Sequence, residues 1–276
     1  MQTAQFVLHS RMEERHWWFR ARRRIACELI RRVEPPSRER VLVDIGCGTG
    51  GNLAALAGEY TCVGYDPSPE AIGLAQKRLP QVRFLSGDLW AALEQIPSTA
   101  RFFLLMDVLE HLPDDFLFLS ELLSRVQAGS HLLITVPADQ TLWSPHDVSF
   151  GHYRRYDRGR FEQLWEGLPV TPRLVSYYNS RLSPLARMAR KLSRWRGKAG
   201  GEAGTDFSLP PVPVNRLLEA VFAGETGRLS ALLEGRAARG FSAGVSLIAL
   251  VRREAGVIRP RCRPGQVPAD SLAREA

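Results

Sequence analysis

The stretch VLVDIGCGTGGNLAAL (residues 41–56) joins a short apolar run to a cluster of glycines. VLVDI has the length and composition of a buried strand, and the glycines after it predict a tight turn. Gly46, Gly48 and Gly51 have the spacing of a dinucleotide-binding loop. A second spacing, typical of a different cofactor loop, is formed by Asp44, Gly46, Gly48 and Gly50. The stretch therefore predicts a cofactor site, and the charge of its ligand has to be decided.

Asp44 is the residue that discriminates between the two cofactors. In a dinucleotide site the pyrophosphate lies against this turn and the following helix N-terminus. A carboxylate about 4 Å from that anion would cost roughly 1 kcal/mol in water and about 4 kcal/mol at an effective dielectric near 20. The same carboxylate attracts the sulfonium and ammonium groups of S-adenosylmethionine. Asp66, at the end of the next apolar run, would accept hydrogen bonds from ribose hydroxyls in either case.

Strands and helices alternate through the chain from this stretch onward. Amphipathic or helical segments are predicted at 12–33, 51–58, 69–78, 114–126 and 157–167. Apolar runs of strand length are VLVDI (41–45), CVGYD (62–66), VRFLSGD (82–88), FFLLMD (102–107), HLLITVP (131–137), RLVSYYN (173–179) and SAGVSLIALVRR (242–253). Near-continuous apolar strands that alternate with helices predict an α/β fold with a parallel sheet covered on both faces.

Four motifs of this chain resemble those of one enzyme family. DIGCGTG (44–50), Asp66, GDL (87–89) and DVLEHL (107–112) are similar, in this order, to the motifs of class I S-adenosylmethionine-dependent methyltransferases. The resemblance covers roughly residues 40–180 and the final strand. It implies a Rossmann-like fold with a seven-stranded, mostly parallel sheet, whose last strand is antiparallel and forms a hairpin with the sixth.

The resemblance also implies a set of cofactor contacts. Gly46, Gly48 and Gly50 would let the backbone approach the methionyl part, and Asp66 would bind the ribose diol. Asp88 would accept from the adenine amino group beside Leu89, whereas Met106 and Asp107 would line the methyl end. The alternative is that these are ordinary turn and strand-end residues. The complete predicted set is Asp44, Gly46, Cys47, Gly48, Gly50, Asp66, Asp88, Leu89, Met106 and Asp107.

A narrower resemblance bears on the methyl acceptor. HWWFRARR (16–23) and LWSPHDVSFGHYRRYD (142–157) are similar to a bacterial subgroup associated with glycan, lipid-linked and natural-product pathways. The subgroup fixes no single substrate. We expect a small-molecule or lipid-linked acceptor, with an oxygen nucleophile favoured over carbon or nitrogen. Guanidinium groups present paired donors to carboxylates and phosphates. The residues predicted to bind the acceptor are Trp143, Arg154, Arg155 and Tyr156. Alternatively, one of these arginines pairs with a nearby acid and Tyr156 packs in the interior.

Methyl transfer is an in-line displacement that needs alignment and, for a protonated nucleophile, a base. His111, His146 and His152 lie in loops predicted at the carboxyl ends of strands, where ligands bind in open α/β sheets. His146 is the first candidate for the base because Asp147 follows it, although adjacent side chains usually point in different directions. A metal site of His146, Asp147 and His152 matches no established spacing. We therefore predict no metal.

The predicted organisation has five parts: an N-terminal helical lid (1–36), an S-adenosylmethionine-binding core (37–179), a helical cap (180–240), the final core strand (241–254) and a disordered tail (255–276). The lid would place Arg22 or Arg23 near the cofactor carboxylate. Residues 180–198 carry seven positive charges and no acid beside leucines at helical spacing. This pattern favours a cap over the acceptor pocket, with peripheral contact to an anionic membrane as the alternative. It offers no support for nucleic-acid binding.

Composition leaves several function classes open and disfavours others. The formal charge of +8 is compatible with an acidic partner. Four cysteines without paired spacing indicate a reduced, cytoplasmic protein, and no apolar run is long enough for a signal or a membrane span. Three rival functions remain: a methyltransferase-fold enzyme that catalyses a non-methylating step such as cyclisation, a membrane-surface binding protein with a vestigial cofactor site, and a nicotinamide-dependent oxidoreductase.

Overall fold

A computed structural model describes residues 3–196 and 208–262, and within these ranges seven strands form one mixed sheet in the order β3-β2-β1-β4-β5-β7-β6. The five strands β1 to β5 are mutually parallel, whereas β7 runs antiparallel to both β5 and β6. This confirms the predicted Rossmann-like topology. The strands are β1 (Ser37–Ile45), β2 (Tyr60–Tyr65), β3 (Arg83–Leu85), β4 (Ala100–Met106), β5 (His131–Pro137), β6 (Val170–Tyr178) and β7 (Ser246–Arg253).

The centre of the sheet decides where a ligand can bind. β1 pairs with β2 on one side and with β4 on the other, so Asp44 lies between Gly64 and Leu104. The chain order of the strands reverses across this position. In open α/β sheets, ligands bind at such a switch point beyond the carboxyl ends of the strands. The glycine loop after Ile45 lies at this edge.

Both faces of the sheet are covered by apolar layers, as the near-continuous strands predict. Leu42 in β1 belongs to one buried cluster, whereas its neighbours Val41 and Val43 belong to the other. Successive strand residues point to opposite faces, so an uninterrupted apolar run is what a doubly covered strand requires.

Ten α-helices accompany the sheet in the described ranges. Several begin at side-chain caps: Ser68 accepts from the Ala71 amide, and Asp114 accepts from the Leu117 amide. The helices are α1 (Thr3–Arg15), α2 (Trp17–Val33), α3 (Pro69–Arg78), α4 (Leu89–Glu94), α5 (Asp115–Arg125), α6 (Pro145–Ser149), α7 (Arg158–Gln163), α8 (Ser183–Arg196), α9 (Val212–Ala223) and α10 (Thr226–Leu233).

The prediction of a helix over 51–58 is wrong. The segment forms turns around a single 3₁₀ turn, Leu53–Ala55. Glycines at both ends of this short stretch leave too few residues for a regular helix, and glycine disfavours helix formation. Leu53 and Leu56 are nevertheless buried, so their apolar spacing reflects packing.

The N-terminal helix and the tail also differ from the prediction. The helical region is divided at His16, whose extended backbone ends α1 and whose ring caps the Trp18 amide. The beginning of the predicted disordered tail packs on α5: Ile258 is buried, and the Arg261 amide donates to Ser120 Oγ at 2.9 Å. These contacts order 255–262. The rest of the predicted tail, 263–276, lies outside the described residues.

The insertion after β6 packs mainly on the N-terminal helix. Asn215 of α9 accepts from the Trp17 amide at 3.0 Å, and Glu219 pairs with Arg20 at 2.7 Å. Arg32 of α2 forms an ion pair with Glu234, which follows α10. The predicted lid and cap are therefore in direct contact. Among the described residues, no helix combines the length and the apolar character needed to span a membrane.

Candidate active site

The glycine loop folds back on β2 through backbone hydrogen bonds. The Gly46 and Cys47 amides donate to the Tyr65 carbonyl at 2.7 and 2.8 Å. Gly46 has a φ of +75°, and a Cβ at this position would lie 2.6 Å from Val108 Cγ2. Both constraints require glycine, because an L side chain would be strained and would clash. The loop therefore presents bare backbone at the switch point of the sheet.

Asp66 connects this loop to α3. Its two carboxylate oxygens accept from the Gly48 and Ser68 amides, both at 2.9 Å. Burial raises the pKa of Asp66 although these two amides oppose the shift. Each oxygen retains a second lone pair, so the carboxylate can accept further hydrogen bonds.

Asp44 is fully buried below the loop. Asn52 Nδ2 donates to one of its oxygens at 3.3 Å, whereas Oδ1 has no hydrogen-bond partner among the described residues. Burial raises the pKa of Asp44 to about 7. A buried carboxylate with an unsatisfied oxygen is costly unless a cation or a donor reaches it. The site therefore favours a positively charged ligand.

The end of β4 carries a second acidic position at the same edge. Asp107 has a φ of +60°, an uncommon conformation for a residue other than glycine. Its carboxylate accepts from Thr135 Oγ1 at 3.2 Å and is paired with Arg22 of α2. The Arg22 guanidinium lies 4.6 Å from the centre of the Trp18 ring. The N-terminal helix thus provides a charge partner to the strand end.

The three histidines predicted from the sequence lie together. The His111 and His152 rings are 4.7 Å apart and nearly perpendicular, and the His146 ring is 6.3 Å from that of His152. Asp147 contacts His152 Nδ1 at 3.0 Å. Burial and the neighbouring His152 lower the pKa of His111 to about 4. The cluster joins the segment after β4 to the segment after β5.

Residues 18–190 match a family model described as a methyltransferase domain, which spans more than half of the chain. The chain belongs to this methyltransferase family. Membership confirms the predicted family and indicates S-adenosylmethionine as the cofactor. The bare loop, the unsatisfied Asp44 oxygen and the two oxygens of Asp66 fit that cationic ligand.

Curated relatives carry methyltransferase names. The chain is 35% identical over 181 residues to trans-aconitate 2-methyltransferase of Azoarcus sp. (strain BH72), covering 63% of this chain and 66% of the relative. The enzyme of the same name from Variovorax paradoxus (strain S110) is 35% identical over 121 residues, covering 42% and 45%. The chain thus spans between about half and just under two thirds of the length of these relatives.

Solved structures of other methyltransferases share the fold. One chain of the complex between the Haloferax volcanii Trm112 methyltransferase activator and a methyltransferase has a TM-score of 0.55 at 15% identity, covering 93% of this chain and 97% of that one. The plantazolicin methyltransferase BamL, in complex with a triazolic desmethylPZN analog and SAH, has a TM-score of 0.51 at 14% identity, covering 85% and 86%. At these identities the likeness concerns the fold alone.

The pKa of Asp44 predicts how cofactor affinity depends on pH. Because burial raises the pKa of this carboxyl to about 7, it gains a proton as pH falls through 7, and the cation then loses its counter-charge. We expect calorimetry to show S-adenosylmethionine binding about tenfold tighter at pH 8 than at pH 6. Asp44→Asn should bind more weakly at pH 8 and show a flatter profile. A wild-type affinity that is constant across this range would contradict the assignment.

The remaining predicted cofactor residues have mixed surroundings. Cys47, Leu89 and Met106 are buried, and burial raises the pKa of the Cys47 thiol well above its usual range. Asp88 is exposed and caps α4 by accepting from the Ala91 amide at 2.8 Å. This is the kind of turn role that the sequence analysis gave as the alternative to a cofactor contact. Their contacts with the cofactor remain predictions. Trp143 is half-buried, and its contact with an acceptor also remains a prediction.

Two of the residues predicted to bind the acceptor are buried and contact buried acids in the structure. Arg155 is buried and donates to both oxygens of Asp147, at 2.8 and 3.2 Å. Tyr156 is 0% exposed, and its hydroxyl donates to Asp115 Oδ2 at 2.7 Å. Arg154 pairs with the same Asp115 at 3.2 Å. These contacts are those that the alternative interpretation describes, and binding of the acceptor by these residues remains a prediction.

The lid is attached to the glycine loop by Glu13, a residue that the sequence did not single out. Thr49 Oγ1 and Arg78 Nη1 donate to its carboxylate at 2.7 and 2.8 Å. Burial alone would raise the pKa of Glu13, but His9, Thr49 and Arg78 outweigh it and hold the pKa at about 2. Arg23, expected near the cofactor carboxylate, instead donates to the Gly51 and Glu13 carbonyls.

Glu110 is a second candidate residue that the sequence analysis did not choose. It lies in the quoted motif DVLEHL, where only the neighbours Asp107 and His111 were chosen. Glu110 is 0% exposed, and neither carboxylate oxygen has a hydrogen-bond partner among the described residues. Burial raises the pKa of Glu110 to about 8. A buried acid of this kind next to a histidine cluster is a candidate functional group.

Proposed function

We propose that this protein transfers a methyl group from S-adenosylmethionine to an oxygen of a small-molecule acceptor. The observation that carries the proposal is the buried Asp44 carboxylate with its unsatisfied oxygen, directly below a bare glycine loop. The bound cofactor supplies an electrophilic methyl group on sulfur. The residues of the chain would bind the donor, align the acceptor and exclude water.

Binding of the donor is assigned to the switch point of the sheet. Asp44 would balance its positive charge, and Asp66 would hold the ribose diol. Alignment of the reacting groups can contribute roughly 7–11 kcal/mol to lowering the barrier. The contact of Arg22 with Asp107 and that of Glu13 with Thr49 support closure of the N-terminal helices over this edge.

The acceptor would lie against the histidine cluster, since those loops follow β4 and β5 at the same edge. Burial lowers the pKa of His111 to about 4, so this ring is neutral at physiological pH. Relatives named trans-aconitate 2-methyltransferase, together with the net charge of +8, support an acceptor that carries a carboxylate. A carboxylate carries no proton at physiological pH and would need no base, whereas a hydroxyl acceptor would need a general base, which typically contributes about 10²–10⁴-fold to the rate.

The contacts of helix α8 favour the predicted cap, and its exposed side chains favour a second class of acceptor. Arg187 pairs with Asp139 at 2.9 Å, which holds the helix beside the loop after β5. Leu185 and Met188, however, are 47% and 63% exposed on the same basic helix. Apolar side chains among arginines favour an anionic lipid surface. A lipid-linked acceptor, with peripheral membrane contact through 180–198, is therefore the second candidate.

The experiment measures S-adenosylhomocysteine formed from S-adenosylmethionine, with trans-aconitate and other carboxylic acids as acceptors. We expect stoichiometric S-adenosylhomocysteine and a methyl ester in at least one reaction. Parallel reactions contain phosphatidylglycerol vesicles with a lipid-linked acceptor, where vesicle retention of the protein would favour the second candidate. A protein that binds the cofactor and transforms an acceptor without releasing S-adenosylhomocysteine would instead be a non-methylating enzyme.

A further inference from the structure

Three side chains in the segments that follow β4 and β5 have the arrangement of a metal site. Glu110, His111 and His152 each offer a ligand atom, and these atoms all lie within 4.8 Å of one another. Glu110 and His111 belong to the 3₁₀ turn Leu109–His111, which begins two residues after Asp107. His152 comes from the loop after α6, so the site joins the segments that follow β4 and β5.

The surroundings of Glu110 require a partner that the described residues do not provide. Its carboxylate is completely buried, and neither oxygen accepts a hydrogen bond from another described residue. An ionised group in this position pays a large desolvation cost, and a protonated one would still need an acceptor for its O–H. A cation bound between Glu110 and the two imidazoles removes both problems, because it contacts the oxygen directly.

Both imidazoles are already oriented as metal ligands usually are. His152 Nδ1 lies 3.0 Å from Asp147 Oδ1, which leaves Nε2 for coordination. The Ser144 amide and Arg155 fix Asp147 in turn. The His111 ring forms a hydrogen bond with the backbone of Phe150. A carboxylate or carbonyl behind each ligating histidine is the common outer-shell arrangement of protein metal sites.

We propose that Glu110, His111 and His152 bind one divalent transition-metal ion. Two imidazoles and one carboxylate suit Zn²⁺, and three protein ligands leave a coordination position open. If the proposed function holds, that position would bind an oxygen of the acceptor and orient it toward the methyl group, because a bound metal acts as a template and Lewis acid. With His111 and His152 as ligands, His146 is the histidine of the cluster left to take up a proton.

This assignment differs from the metal candidate considered in the sequence. In that candidate Asp147 would be a ligand together with His146 and His152. Asp147 is instead held by Arg155, Ser144 and His152, so its oxygens are already engaged. Glu110, with two unengaged oxygens, is the better ligand.

The test measures metal binding to the full chain without cofactor or acceptor. Protein stripped with a chelator is titrated with Co²⁺ and followed by visible absorption. A second stripped sample is reloaded with Zn²⁺ and passed through gel filtration, and the Zn²⁺ that it retains is measured by mass spectrometry. We expect about one ion per chain. Glu110→Gln and His152→Ala should each weaken Co²⁺ binding at least tenfold, whereas His146→Ala should bind like the wild type.

The alternatives give different results. Failure of the wild type to retain Zn²⁺ or Co²⁺, or wild-type affinity in folded Glu110→Gln, would overturn the site, and circular dichroism checks folding of each variant. Loss of binding in His146→Ala with full binding in Glu110→Gln would point to the sequence-based set instead. Metal binding without S-adenosylhomocysteine formation would leave this site in place and refute the proposed function.

Discussion

Replacing Asp66 with Ala should weaken S-adenosylmethionine binding by about 10- to 100-fold. A hydrogen bond to a charged group is worth about 1.5–3 kcal/mol, and each 1.4 kcal/mol corresponds to a factor of ten. The substitution removes the assigned partner of the ribose diol and also frees the Gly48 and Ser68 amides. Calorimetric titration measures the loss. The affinity of Asp66→Asn should lie between those of the wild type and Asp66→Ala, because asparagine keeps one acceptor oxygen without the charge.

Asp157→Ala is the matched control. Asp157 is exposed and caps α7 by accepting from the Arg160 amide at 2.8 Å, so its loss costs a helix cap, about 1 kcal/mol, away from the loop. We expect its cofactor affinity to equal that of the wild type. Unchanged affinity in Asp66→Ala, with normal folding, would refute the ribose assignment and leave Asp44 as the acidic anchor of the site.

The central strands could be predicted because they are buried on both faces. HLLITVP (131–137) coincides with β5, and the apolar run at 102–107 lies within one or two residues of β4. A doubly covered strand needs apolar side chains at every position, so its signal is strong and local. The segment 51–58 has apolar residues as well, but its burial comes from packing of separate turns. Periodicity alone cannot distinguish the two cases.

The cofactor edge could also be predicted, because topology alone brings strand ends together. Asp44 lies near the end of β1 and Asp66 follows the neighbouring β2, and the Gly48 amide donates a hydrogen bond to Asp66 between these two strand ends. The direction of the Asp147 side chain could also be predicted from the sequence. Ser144 and Asp147 form a capping box at the start of α6, which turns the carboxylate away from His146.

Contacts between distant segments could not be predicted from one sequence. Arg22 reaches Asp107 across 85 residues, and Tyr156 reaches Asp115 across 41. Such pairs depend on how helices dock against the sheet, which local pattern does not determine. The same limit applies to Glu110, whose lack of a donor is a property of the folded interior.

Arg155→Ala should lower the free energy of unfolding by about 3–5 kcal/mol. The arginine donates to both oxygens of the fully buried Asp147 and to the Ala138 carbonyl at 3.0 Å. Removing one partner of a buried ion pair is strongly destabilising, because Asp147 would keep only the Ser144 amide and His152 to compensate its charge. Thermal unfolding should therefore begin at lower temperature, by roughly 6–15 °C for a chain of this size.

Arg158→Ala separates this structural role from an acceptor-binding role. Arg158 pairs with Glu162 at 2.9 Å, but both side chains are exposed, so the loss should stay below about 1 kcal/mol. Methyl transfer is then compared at a temperature where both variants are folded. A structural role for Arg155 predicts a lower Tm with little change in KM for the acceptor. An unchanged Tm with a raised KM would instead favour the prediction that Arg155 binds the acceptor. It would mean that Asp147 keeps its place without the arginine and that the guanidinium is available to the acceptor.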